Sequence, residues 1–498
     1  MVEALPDPSV LIVGGGPTGL MLACELGLVG IPTVLVDRSP GPRPDAPGIA
    51  INIGTAELLA QRDWLDPIRA VGTVLPAAHF ALVGLDPTVR AAERENAYLV
   101  PQSAVERVLA ERAVSLGADL RRGTELVDLT QDAGGVTARL RGPDGAYELR
   151  VPYLVGADGP DGPVGPLAGI GASETEIPSY GLVGDLRADF ATLPPELFGV
   201  RRHPGNGGFY TGAPAGNGLL RFMTAEFGAR EDAGTGPLGA DELAAGLRRV
   251  TGADLPSAAE VVWAQRYRQR TRLAERYREG RVFLAGDAAH VFPALGGARI
   301  NTGVEDAVNL GWKLSSVLRG TVPETLLDTY QRERQPVAVA AADSTAAQLA
   351  LGAPAPGVAQ LRELFAALVG LPQVNDYLVD MVTGLDARYP EPDGTDPDSV
   401  VGTLLSPARL KTLGGGEVAE ALRRGRGALT YTEPEWLDAV GATDSVCGLA
   451  LVQVSDLDSP GTRLLIRPDG RVAAVDPDGT EPYRVGDALR SCFGHSCR

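Results

Sequence analysis

The sequence predicts an α/β fold: a mostly parallel sheet flanked by helices, an antiparallel sheet inserted into it, and a smaller α/β unit after it. Three observations predict this. An apolar strand, Val10 to Val13, runs into a glycine cluster that opens an amphipathic helix. Residues 176–275 are rich in alternating polar and apolar positions, the pattern of an antiparallel sheet. A Pro/Gly/Asp-rich stretch, Pro390 to Asp398, then precedes a last run of short strands and helices. The expected domains are residues 1–175 with 276–388, the insert 176–275, and 395–498.

In chain order, Gly14, Gly16 and Gly19 hold a G-x-G-x-x-G spacing between strand and helix, with Pro17 and Thr18 inside it. The first glycine allows the tight turn, the second lets backbone approach a pyrophosphate, and the third lets helix pack on strand. The N–H groups of the helix start then face the phosphates. Thr33 to Asp37 is the next strand, and Asp37, followed by Arg38, closes it where an acid binds ribose hydroxyls. Strand, turn, helix and acid at this spacing specify a Rossmann-type dinucleotide site.

A Pro/Gly-rich loop, 41–55, and a short helix, 56–60, follow; residues 77–85 alternate weakly as a strand. Residues 100–116 read as a helix capped by Ser103. Strands at 120–130, 136–140 and 147–155 form a meander, with a hairpin signal at Gly142-Pro-Asp-Gly145. The strand from Tyr153 ends in a turn at Asp158-Gly159. In the insert, segments 181–190, 208–212, 219–227 and 261–272 alternate, and 241–250 is a helix. Phe209, Tyr210, Arg221, Phe222 and Met223 are candidates for a substrate cavity under this sheet, of which alternation lets only half point inward. Arg266, Arg268, Arg270 and Arg272 read as a solvated face rather than, with His203, an anion site.

The chain returns through Arg281 to His290, a buried strand ending at Asp287. An aspartate at a strand end suits a polyol chain such as ribityl. Gly296 and Gly297 then allow close approach of a planar ring, before a helix expected over 303–318. Its entrance N–H groups suit the ring's oxygen or charge on a reduced flavin. Together with the first motif, these features make the dinucleotide FAD. His290 reads as a hydrogen-bonding core residue. Helices are expected from Pro323 to about Leu368, and later strands near Leu429 and at 449–454, 464–466 and 471–475.

The totals exclude several classes. The net charge of −18, from 63 acidic and 45 basic residues, disfavours nucleic acid and anionic membrane as partners. No apolar run reaches eighteen residues, and the N-terminus has no signal-peptide pattern, so a cytoplasmic protein is expected. Four cysteines do not make a disulfide scaffold, and Cys492, His495 and Cys497 read as a solvated tail rather than a metal site. With four histidines, no metal centre or histidine triad is expected and no catalytic side chain stands out. The oligomeric state stays open.

The motifs together resemble the FAD-dependent aromatic and polyketide hydroxylases, the class A flavoprotein monooxygenases with a p-hydroxybenzoate hydroxylase-like fold. The matching residues are the Gly14–Gly19 motif with Asp37; Gln102; Asp158-Gly159; Arg281 to His290 with Pro293; Gly296-Gly297, Asn301, Asp306, Asn309 and Trp312-Lys313-Leu314; and Tyr330 to Arg334 with Pro336. The resemblance spans about residues 9–340. It implies an extended FAD whose binding set includes Gly14, Gly16, Pro17, Thr18, Gly19, Asp37, Arg38, Gln102, Asp158, Asp287, Pro293, Gly296, Gly297, Arg299, Ile300 and Asn301. It also implies a substrate cavity near Phe209, Tyr210, Arg221 and Met223, a hydrophobic polyketide-like substrate, and a thioredoxin-like C-terminal domain, here without C-x-x-C. Family members usually carry basic residues where this chain has Pro47, Gly54 and Gly165, and a serine at Gly162; the usual Gly-Gly-Gln-Gly reads Gly296-Gly297-Ala298-Arg299. The lost arginines would serve phosphates of NAD(P)H or FAD, each contact contributing about 1.5–3 kcal/mol. Two readings follow: a monooxygenase using NAD(P)H and O₂, or a non-redox [4+2] cyclase, decalin-forming, with FAD as a structural cofactor.

Overall fold

The structure is a computed structural model that describes residues 5–494, except 6, 44–45, 47, 91, 204–207, 217, 229–237, 294, 296, 391–398, 443–447 and 455–462. Pro47, Gly296, His495 and Cys497 therefore lie outside the described residues.

The first unit starts with β1 (Val10–Val13), α1 (Pro17–Leu28) and β2 (Thr33–Asp37). Helix α2 (Gln102–Ser115) leads into β3 (Asp119–Arg122), and a three-stranded meander over 125–151 precedes β4 (Tyr153–Gly156). Helix α2 is not capped by Ser103. It begins directly after Pro101, and the Gln102 N–H donates to the Gly48 carbonyl at 2.9 Å, so the loop at Gly48 satisfies the helix end instead.

The insert comprises β5 (Ala172–Arg187), β6 (Gly199–Arg202), β7 (Phe209–Pro214), β8 (Leu219–Phe227), α3 (Ala240–Thr251) and β9 (Glu260–Ala274). The chain then re-enters the first sheet as β10 (Val282–Leu284) and continues through α4 (Ala298–Leu318), α5 (Asp328–Gly352), α6 (Val358–Val369) and α7 (Pro372–Thr383). Helix α4 starts five residues before the expected 303, because Gly297 takes a left-handed φ of 69° and lets the helix begin at Ala298. Helix α7 was not anticipated, although Pro372 at its first turn and left-handed Gly384 at its end are ordinary start and stop signals.

Strand β1 lies at the centre of the main sheet, all four residues buried. It pairs in parallel with β4 and β2; β10 and β3 extend the sheet outward, and residues 278–279 close one edge antiparallel. Such a sheet buries both faces, which explains the near-continuous apolar strands. Helices α1 and α4 cross closely where glycine permits it: a Cβ at Gly303 would collide with Thr18, and one at Gly311 would come within 2.8 Å of Glu25 Cβ.

The insert sheet runs β6-β7-β8-β5-β9, antiparallel, and ends on His290–Val291. One face packs Leu182, Leu186, Tyr210, Leu220 and Phe222 against Leu243, Leu247 and Val250 of α3. The last unit contains β11 (Gly427–Tyr431), β12 (Leu449–Gln453), β13 (Leu464–Ile466), β14 (Val472–Val475) and α8 (Pro482–Phe493). Its order is β12-β11-β13-β14, with β11 and β12 parallel and β13 antiparallel to both its neighbours, a mixed α/β sheet.

Candidate cofactor site and substrate cavity

The site forms at the C-terminal ends of β1, β2, β4 and β10. Gly14 has a φ of 113°, and a Cβ there would collide with the Ala157 carbonyl at the end of β4. A Cβ at Gly19 would collide with the Gly14 carbonyl. Gly16 differs: no atom lies within 4 Å of where its Cβ would sit. That open space stands before the α1 N-terminus, which has Pro17 in its first turn, no side-chain cap and no acidic residue. Its N–H groups are available to an anion, as a pyrophosphate requires.

Asp37 ends β2 and accepts from the N–H groups of Gly15 and, at 2.6 Å, Ser39. These bonds fix its carboxylate beside the turn and leave further lone pairs for hydroxyl groups. Arg38 is exposed beside it. Gln102 accepts from Gly48 N–H at 3.2 Å and donates to Glu106 at 2.8 Å, so it ties the 41–50 loop to α2. Asn301, on the first turn of α4, accepts from Asn52 N–H at 3.0 Å and donates to the Gly297 carbonyl at 2.7 Å. Asn52 in turn caps the helix at 53–61 through Thr55 N–H.

Asp158 folds back on its own turn, accepting from Val164 N–H at 2.9 Å, while Oδ1 is buried with no protein partner. A Cβ at Gly162 would collide with this carboxyl group, so the glycine there makes this conformation possible. Burial pushes the Asp158 pKa up to about 6.

At the other end of the cleft, Asp287 forms an ion pair with Arg299 on α4. Arg299 is therefore committed to the acid expected at the ribityl chain. The α4 N-terminus, like that of α1, has no side-chain cap and no acid in its first turn. Pro293 is buried and Ile300 half-buried in this entrance. Behind it, Asp306 accepts from Gly286 N–H at 3.0 Å, lies 2.6 Å from His290 Nε2, and accepts from Arg334 at 2.7 Å. Burial alone would raise the Asp306 pKa; the charges of His290 and Arg334 bring it below the usual carboxylate value. His290 is fully buried and stacked on Phe292 at 5.0 Å, a core residue as expected. The open space at Gly16, the acids Asp37 and Asp287 and the uncapped starts of α1 and α4 fit FAD.

The insert presents its second face to this region. Strand register puts Phe209, Thr211, Arg221, Met223, Ala225 and Phe227 on it together with Ser179, Val183 and Asp185. Phe209 and Ala225 pack with Leu295 of the glycine-rich loop and Leu349 of α5. Ile177, Phe209, Ala225, Phe227 and Leu349 line a shallow depression there. Tyr210 is a correction to the substrate set: it is fully buried on the opposite face, its hydroxyl donating to Leu197 O at 2.8 Å. Phe222 shares that core. Arg221 faces the cavity side but is fully used: it forks onto Asp185, stacks at 5.0 Å over Trp263, and donates to Ala46 O at 2.8 Å. It thereby joins Ala46 to the sheet. Arg266, Arg268 and Arg270 pair with Glu242, Glu176 and Asp161 on the other face.

The fold and site define a flavoprotein with a Rossmann-type FAD unit roofed by an inserted sheet. The chain belongs to the FAD-binding domain family, whose model matches residues 7–345. It is 38% identical over 490 residues to a dialkyldecalin synthase of Streptomyces rugosporus, covering 98% of this chain and 99% of that one. Among solved structures it is similar to the Diels-Alderase PyrE3 of pyrroindomycin biosynthesis, with a TM-score of 0.83, 37% identity, and coverage of 98% of this chain and 100% of that one. It is equally similar to the anhydrotetracycline hydroxylase OxyS of Streptomyces rimosus, with a TM-score of 0.86, 36% identity, and coverage of 98% and 99%. The protein is an FAD-dependent enzyme of this hydroxylase-like family.

Proposed function

We propose that this enzyme acts on a flexible, hydrophobic polyketide-type substrate and closes a ring by a [4+2] cycloaddition without turning over its flavin. The observation that carries this reading is Gly54. At this position, where the resembling hydroxylases open the helix with an arginine, a Cβ would already lie 3.4 Å from the carbonyls of Thr383 and Gly384. The carbonyls at the end of α7 border this position at ordinary contact distance, and no basic side chain stands there to meet a phosphate. Of the two arginines able to stand in for it, Arg299 pairs with Asp287 and Arg43 is exposed.

FAD, when bound, supplies a rigid planar wall here, whereas in the related hydroxylases it is the redox centre. Gly14, Gly16 and Gly19 hold its pyrophosphate, Asp37 its ribose, and the entrance of α4 with Asp287 its ring end. Phe209, Met223, Ala225 and Phe227 bind apolar carbon and exclude water. Their contribution to rate is orientation: they hold diene and dienophile in one reactive conformer. Two carbon–carbon σ bonds form at the expense of two π bonds, so no proton, hydride or oxidant is exchanged and no side-chain base is needed.

The second reading is hydroxylation with NAD(P)H and O₂, supported by the similarity to OxyS and by the uncapped α4 N-terminus. Product mass separates the two. The holoenzyme is incubated anaerobically, without NAD(P)H, with a linear polyene that carries a tethered dienophile. A product isomeric with the substrate, absent from the enzyme-free control, supports ring closure. Turnover seen only with O₂ and NADPH, giving a product one oxygen atom heavier, overturns it.

A further inference from the structure

A buried chain of ion pairs runs from the C-terminal unit to the turn that carries Asp287. Arg471, just before β14, places Nη2 3.2 Å from Glu305 Oε2 on α4. The same oxygen accepts from Arg334 Nη1 of α5 at 2.8 Å. Arg334 Nε donates to Asp306 Oδ1, and Asp306 Oδ2 accepts from the Gly286 N–H. Gly286 is the residue before Asp287 and has a φ of 61°. Each of the four charged side chains is at most 6% exposed. Tyr389 lies at the junction, its ring centroid 4.3 Å from the Arg471 guanidinium, 5.0 Å from that of Arg467 and 5.8 Å from that of Arg334. Arg471 also donates to the carbonyls of Ala387 and Gly402.

Along this chain two acids face two arginines, and His290 Nε2 lies 2.6 Å from Asp306 Oδ2 as a further partner. Forked guanidiniums on carboxylates fix both distance and plane, and a buried pair that loses one partner leaves the other charge uncompensated. The Gly286 N–H is the outlet of the chain into the cofactor site. We propose that the C-terminal unit, which has no C-x-x-C, is a positioning module for FAD: Arg471 acts through Glu305, Arg334 and Asp306 to hold the Gly286–Asp287 turn. The inference rests on FAD binding at Asp287 and is independent of whether the flavin is reduced.

The test is FAD release from the holoenzyme, followed by the rise in flavin fluorescence after dilution, beside thermal unfolding. Arg471→Met is compared with Arg62→Met. Arg62 bridges the same two units, pairing with Glu25 and donating to the carbonyls of Leu422 and Pro468, but it is outside the chain of ion pairs. Arg471→Met is expected to release FAD about tenfold faster or more, with Arg471→Lys in between. Arg62→Met is expected to lower the melting temperature while its release rate stays within about threefold of the parent. Equal release rates in the two Met variants, or an unchanged rate in Arg471→Met despite a lower melting temperature, overturn the proposal. If Arg471→Met does not accumulate, the isosteric Glu305→Gln is read by the same criteria.

Discussion

Three glycines in one turn meet three different surroundings, and the difference can be measured. A side chain at Gly14 or Gly19 strikes backbone, so alanine at either position disrupts the unit itself. At Gly16 the backbone is extended, with φ −77° and ψ −179°, and no protein atom opposes a side chain. Gly16→Val is therefore expected to fold with the parent's circular dichroism and melting behaviour before FAD is added, but to bind FAD about tenfold more weakly or worse; fluorescence titration checks it. Asp158 gives a pH-dependent counterpart. Its folded pKa, raised by burial to about 6, lies above its unfolded value. The neutral form favours folding, so that contribution is complete below pH ~4 and lost as pH rises through about 6. Asp158→Asn is expected to stabilise the protein by about 1–3 kcal/mol at pH 7.5 and to change little at pH 4, as measured by denaturant unfolding. Both residues were legible in the sequence because their chemistry is local. The Arg299–Asp287 pair was not, since nothing in the order of residues tells an arginine which acid it will meet.

At the scale of elements, the insert sheet divides its residues by parity. The alternation of 219–227 was readable and its bounds matched, but parity has no sign until β5 and β7 pair with β8 and α3 covers one side. That is why Tyr210 was assigned to the cavity and belongs to the core. Tyr210→Phe leaves the Leu197 carbonyl without its donor and is expected to cost about 1–2 kcal/mol of stability without changing substrate affinity. Met223→Ala is expected to do the reverse: a melting temperature close to the parent's and a several-fold rise in KM. Helix α4 shows a related limit. Its first turn carries Arg299, Ile300 and Asn301, yet the five residues 298–302 read as loop until the left-handed glycine is seen to start the helix.

At the scale of the whole molecule, the units are joined by charges that sequence separation hides. Arg467 pairs with Glu333 across 134 residues, and Arg471 meets Glu305 across 166. Lys313 shares Glu333 at 2.7 Å, and the charges of Arg467 and Lys313 hold the Glu333 carboxyl far below its ordinary pKa despite its burial. The turn Arg467-Pro-Asp-Gly470 was legible as a turn; its use as a two-armed clamp on α4 and α5 was not. Removing residues 399–498 would strip Glu305 of Arg471 and Glu333 of Arg467, leaving them Arg334 and Lys313, and expose the apolar face around Trp312. Each broken buried pair costs about 3–5 kcal/mol, against a total stability of about 5–15 kcal/mol. The truncated chain is expected not to accumulate as a soluble yellow protein, judged by the FAD-to-protein ratio of the soluble fraction.

The central claim is that this FAD is bound and not turned over, because the chain lacks, at positions such as Gly54, basic residues that the resemblance assigns to phosphates of NAD(P)H or FAD. Anaerobic mixing of the purified holoenzyme with millimolar NADPH or NADH, with and without anhydrotetracycline as an aromatic probe, tests it by flavin absorbance. Dithionite serves as the control that the bound flavin can be reduced. The account predicts bleaching by dithionite alone. Bleaching by NADPH or NADH, with or without the probe, would contradict it and return the enzyme to the hydroxylases.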